Sequence, residues 1–272
     1  MKQILFFLTL ALTSMNVVAQ KPDHPDHKYF FKDTDEISTD TYNLKCYDCV
    51  SFKDFTKFRF EMQNKSDEII IVNLDTSYFN LNADRRDTYK GKREVVLPHS
   101  SKRVTCNATR EDGVNYHAEN VKYTFSGIET ISLDGKVQTI PNYKIPVAQE
   151  EFKVGDFTFT VDRTRINAKK SYVTFDVLYE GTDYAIFDES KIEILFDGGN
   201  KINNDHKPKM EVIKKGEMAH VKVEFPFPTS YAKNKNLTAE IVWNDFLIVN
   251  SGEKKDDIII NFEIDPIKTE NQ

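Results

Sequence analysis

From Leu44 onward, apolar and polar positions alternate in short runs, and few windows show the spacing of a buried helix face. Phe58-Arg-Phe60-Glu-Met62, Val173-Thr-Phe175-Asp-Val177 and His220 to Phe225 each put every second side chain on one face, as a half-buried strand does. In the second half the pattern predicts strands near 152–162, 171–179, 184–188, 191–196, 210–214, 218–226, 237–250 and 257–264. Glu180-Gly181-Thr182-Asp183 and Asp197-Gly198-Gly199-Asn200 supply turn residues between them.

The two halves repeat one pattern. Phe58 to Leu81 falls without a gap on Val173 to Phe196 at an offset of 115, so that Phe60 meets Phe175, Met62 meets Val177 and Ile71 meets Ile186. Two residues further shift bring Val96 onto Ile213, Val104 onto Val221 and Cys106 onto Val223. Asn120 to Phe125 then lies opposite Asn236 to Ile241. Three runs in the same order indicate a duplication, and a period this long means tandem domains rather than a solenoid. The apolar rhythm lapses near Pro146 to Glu151, so the expected domains are 43–148 and 149–266, with a tail at 267–272.

The N-terminus follows another logic. Lys2, the apolar run Ile4–Leu12 and the small residues Val17 and Ala19 have the order of a secretory signal, with cleavage expected after Ala19 (residues 1–19). Thr13, Ser14 and Asn16 interrupt the run well short of the ~20 residues a membrane span needs. Residues 20–42, charged and proline-rich, read as a flexible leader. The expected location is therefore secreted or periplasmic, with no membrane span in the mature chain.

Composition narrows the function. With 39% hydrophobic residues the chain can build a core, which excludes a disordered protein. A net charge of -6 argues against a nucleic-acid partner, which requires concentrated positive charge. There is no G-x-S-x-G elbow and no H-E-x-x-H. His99-Ser100-Ser101-Lys102 sits in an expected surface turn, and Asp188-Glu189 and Asp256-Asp257 read as solvated turns. Arg85-Arg86 and Lys90-Gly-Lys92-Arg93 read as a solvated face, and Asp23 to His27 as a polar tail. Asn64, Asn107 and Asn236 head N-x-S/T triplets of little weight. No cofactor, metal or catalytic residue is assigned.

Secretion places Cys46, Cys49 and Cys106 in an oxidising compartment. On an extended strand Cys46 and Cys49 lie about 10 Å apart on opposite faces, beyond the ~7 Å that a disulfide spans. Cys46 falls on Val161 and Cys106 on Val223, both inward by their alternation. The expected bridge is Cys46–Cys106, with Cys49 outward; Cys49–Cys106 requires a β-bulge.

Some seven short alternating strands per unit predict an all-β chain of two tandem immunoglobulin-like antiparallel sandwiches. The strand rhythm resembles the secreted, telokin-like immunoglobulin-type domains of bacterial envelope proteins, a resemblance that covers both units and carries no catalytic residues with it. The expected function is a non-catalytic binding or scaffolding protein of the cell envelope, with a protein or glycan partner. The alternatives are a secreted hydrolase acting on glycans and a metal- or redox-active envelope protein.

Overall fold

The computed structural model describes residues 27–109, 117–145, 149–167, 170–196, 199–226 and 238–270. The expected signal peptide, 1–19, lies outside them. Strand dominates what is described, and helix is confined there to a 3-10 turn at Glu189–Lys191 and a short α-helix at Pro266–Glu270. No helix among the described residues is long and apolar enough to cross a membrane.

The strands form six antiparallel sheets, three in each half, stacked in four layers. The first outer layer joins Tyr29–Phe30, Ile37–Ser38, Tyr42–Ser51, Phe55–Asn64 and Ser101–Thr109. Its strands alternate buried and exposed, because one face meets the core and the other meets water. Phe58, Phe60 and Met62 project inward onto Phe79, Tyr123, Phe125 and Phe262 of the next layer.

That next layer is made of two four-stranded sheets. One carries Tyr78–Leu81, Val121–Phe125 and Ile258–Phe262; the other carries Ile69–Asn73, Arg93–Val96 and Ile128–Ile131. The break between Val121–Phe125 and Ile128–Ile131 is made at Gly127, whose φ of +123° disfavours any side chain, and a Cβ there would sit 2.6 Å from Thr76 Oγ1. Ile69–Asn73 is buried at all five positions, since it is covered on both faces. Ile70 and Val72 face the first half's own core, while Ile69 and Ile71 face Tyr184, Ile186 and Val212 of the second half. The second half repeats this, with Ala185 and Phe187 turned to its own core and Ser171–Tyr179 central in the fourth layer.

The register of the duplication holds for two of the three aligned runs. Phe58 pairs with Cys106 and Val173 with Val223; Ile71 pairs with Val95 and Ile186 with Val212. The third run slips by two residues. Phe79 pairs with Tyr123 and its equivalent Ile194 with Ile241, so Tyr123 rather than Phe125 corresponds to Ile241. A slip of two preserves which side chains face inward, so the alternation gave no warning of it.

Strand pairing crosses the expected cut at 148/149 in both directions. Lys136–Val137 and Tyr143–Ile145 pair with Leu247–Asn250 and Ala239–Trp243 of the second half. Glu253–Lys254 and Ile258–Phe262 pair with Ile128–Ile131 and Val121–Phe125 of the first. The strand expected at 257–264 is thus present but completes the other half.

Three further expectations are corrected. Residues 27–42 of the expected flexible leader are bound to the first sheet: Tyr29 and Phe30 pair with Ser51 and Val50, and Phe31 is buried against Phe262. A sparse polar segment becomes ordered because it covers an edge that would otherwise leave backbone groups unpaired. The tail at 266–270 is the short helix, docked where the Phe30 amide donates to Thr269 Oγ1 at 3.1 Å. The strand expected at 152–162 is a hairpin, Glu151–Val154 and Phe157–Arg165, turning at Gly155 with φ +54°.

Candidate functional site

The expected Cys46–Cys106 bridge is absent: all three cysteines are free and buried. Cys46 and Cys106 do point inward, but Cys46 lies opposite Phe60 and Cys106 opposite Phe58 on the two strands flanking Phe55–Asn64. Two strand spacings, about 9–10 Å, exceed the ~7 Å reach of a disulfide. Sequence alignment to the repeat gave each residue's face, but not the strand lying between them.

Cys49 is also corrected, from outward to inward. The register shifts between Tyr47 and Val50, and Asp48 takes a left-handed φ of +53°. That bulge turns Cys49 to the same side as Cys46. Burial raises all three thiols, Cys106 to about 12, so they stay protonated and are poor nucleophiles. Among the described residues no group of three or more His, Cys, Asp or Glu side chains is placed to hold a metal ion.

The same bulge opens a cleft of about 510 Å³ over the first outer sheet, within the size range of small-ligand pockets. Its walls come from three sources. Lys57 and Arg59 project from Phe55–Asn64 and Thr105 from Ser101–Thr109; Lys28 and Phe30 come from the N-terminal strand, and Lys268 from the C-terminal helix. The half-buried Phe30 and Phe55 rings give it an apolar floor; Phe58 and Cys49 also border it, though both side chains are buried on the core side of the sheet. Four cationic side chains stand there against one carboxylate, Asp48, which Arg59 Nη1 approaches at 3.4 Å. Lys57 Nζ lies 5.3 Å from the centre of the Phe55 ring, a cation–π distance.

The duplication puts a second cleft, of about 460 Å³, at the corresponding place on the fourth layer. The register again shifts there, between Val161 and Arg163. Thr174, Asp176, His220 and Lys222 occupy the positions of Arg59, Glu61, Arg103 and Thr105. His220 Nδ1 meets Asp176 Oδ1 at 2.6 Å, and Thr174 Oγ1 donates to Asp162 Oδ2 at 3.3 Å. Beneath it Glu189, expected as a solvated turn residue, is 1% exposed. His206 Nδ1 lies 3.3 Å from Glu189 Oε2 and Lys209 Nζ 4.0 Å from Oε1. Burial raises the Glu189 carboxyl, while Lys209 and His206 pull it back.

Other sequence candidates serve the frame. His99, at φ +51°, is a turn residue whose Nε2 lies 2.7 Å from Asp67. Asn64 is buried, its amide donating to the carbonyls of Glu68, Val96 and Leu97. Arg93, expected on a solvated face, bridges the halves, with Nη2 donating to Val212 O at 3.0 Å and Glu217 Oε2 at 2.6 Å. Asn236 and residues 23–26 lie outside the described residues.

No protein family and no curated protein matches the chain. Solved structures match only distantly. A mutant of Bacillus subtilis oxalate decarboxylase is 9% identical at a TM-score of 0.17, over 88% of this chain and 80% of that one. A pumpkin pro-11S globulin is 7% identical at a TM-score of 0.16, over 87% of each chain. Procruciferin, an 11S globulin of Brassica napus, is 7% identical at a TM-score of 0.17, over 84% and 87%. At these scores the likenesses carry no argument about fold or function.

Proposed function

We propose that the chain is a non-catalytic binding and scaffolding protein of the cell envelope, secreted or periplasmic, that holds a protein or glycan partner on two immunoglobulin-like sandwiches. The facing antiparallel sheets of each half support the sandwich reading. The observation that carries the function is the cleft over the first outer sheet: a concave site with an apolar floor and a cluster of cations, on a chain whose net charge is -6. Local charge opposite to that of the whole chain favours encounter with an oppositely charged partner.

A glycan hydrolase is the weaker reading. Glycoside hydrolysis generally needs two carboxyl groups flanking the scissile bond, and this cleft is lined by one, already paired with Arg59.

The test is co-sedimentation with the purified envelope fraction of the source cell. The wild-type chain should pellet with it, and the double variant Lys57→Glu, Arg59→Glu should stay in the supernatant with an unchanged circular dichroism spectrum. Equal pelleting of both, pelleting of neither, or release of saccharide fragments from the envelope would each overturn the proposal.

A further inference from the structure

We infer that the ligand of the first cleft is an acidic saccharide, a ring carrying carboxylate or sulfate groups; the inference rests on the binding reading above. The charges come first. Lys28, Lys57, Arg59 and Lys268 line one cavity, whereas the chain as a whole is acidic. Arg59 is exposed and offers a planar fork suited to a carboxylate or sulfate. A ligand anion would compete with Asp48 for it at 3.4 Å, an exposed pair that contributes little to stability and is easily exchanged.

The floor decides between a sugar and an extended peptide. An added peptide strand needs an open sheet edge whose N–H and C=O groups are unpaired. At this cleft the edge of Tyr42–Ser51 is already covered by Tyr29–Phe30 and Ile37–Ser38. The other edge of this sheet, Ser101–Thr109, reaches the cleft through Thr105, while the four cations and the half-buried Phe30 and Phe55 rings stand away from that edge, so the ligand meets side chains on the face of the sheet. An aromatic surface next to a cluster of cations accepts the apolar face of a sugar ring while its acid groups reach the cations. Recognition is then by side chains, which makes it separable by substitution.

The inference is tested by isothermal titration of the mature chain with three probes at low and at physiological salt. They are a hexauronate oligosaccharide, its carboxyl-reduced neutral counterpart, and a glutamate-rich peptide of equal charge. The hexauronate should bind at least about tenfold tighter than either of the others. Lys57→Ala and Arg59→Ala should each weaken it by about tenfold, as loss of a charge-assisted contact does. Equal binding of the neutral sugar overturns the acidic part of the inference, and equal binding of the peptide overturns the saccharide part; both leave the binding reading standing. Binding of none of the three overturns the inference alone, because co-sedimentation with the envelope fraction judges the function independently.

Discussion

Glu189 shows how a single residue escapes a reading of local sequence. Asp188-Glu189-Ser190-Lys191 has the composition of a solvated turn, and Asp188 does cap that turn by accepting from Ser190 N. The turn is tight enough that the next side chain is directed inward, where His206 and Lys209, from the segment that follows the next two strands, meet it. The sign of its effect follows from its raised carboxyl. A group whose folded pKa lies above its unfolded value favours the folded state at low pH, and that contribution is lost as pH rises through the folded value. Lys209, His206 and the Lys222 amide oppose the shift without cancelling it. Glu189→Gln, which fixes the uncharged form, is therefore expected to melt higher than wild type at pH 8. The advantage should shrink toward zero as the pH falls past 4.5, the ordinary carboxyl value. Melting curves across pH 4–8 check this, and a gap that does not grow with pH would contradict it.

At the scale of elements, alternation was the informative signal, because a strand with one face in the core and one in water must repeat every second residue. Ser171–Tyr179 and Tyr184–Asp188 have the bounds that the pattern predicted. Phe60 and Phe175 are likewise the buried equivalents expected of them: Phe60 lies between Cys46 and Val104, and Phe175 between Val161 and Val221. Phe60 packs edge-on to Phe125, and Phe175 to Trp243 and Tyr143. Truncating either to Ala should cost on the order of 3–5 kcal/mol, measured by denaturant unfolding; a loss under about 1 kcal/mol at either site would put that strand in the wrong register. What alternation could not show was the pair of bulges. Each adds a residue whose effect is to turn everything after it over, which is how Cys49 went from an expected outward position to a buried one in the first core. A left-handed Asp48 was the only local sign, and Asp is common enough in strand ends to pass unnoticed. The candidate site was thus less legible than the fold. Lys57 and Arg59 look like ordinary outward positions of a strand, and their meeting with Lys28 and Lys268 depends on chain ends far away in sequence.

For the whole molecule, strand pairing repeats between the halves in two of the three aligned runs, but the halves are not cut where the apolar rhythm lapses. Residues 136–145 stand to the second half as 253–262 stand to the first: Val137 pairs with Ile248 as Lys254 does with Glu129, and Tyr143 with Ile241 as Ile260 does with Tyr123. These equivalent pairs are 117 residues apart. The C-terminal segment completes the first half, burying Ile260 and Phe262 in its core. This decides which fragment is a folding unit. Residues 150–266 keep two strands that belong to the first half and lack Tyr143 and Ile145, which are buried in the second core. That fragment should unfold without a cooperative transition, whereas residues 133–252 should melt cooperatively. The isolated half would also uncover Tyr184, Ile186 and Val212, an apolar sheet face that the first half normally covers, so it should self-associate in light scattering. A chain ending at residue 252 should lose the stability of the first half while the second keeps its own transition. Should 150–266 melt as sharply as 133–252, the exchange of terminal strands would not govern how the halves fold.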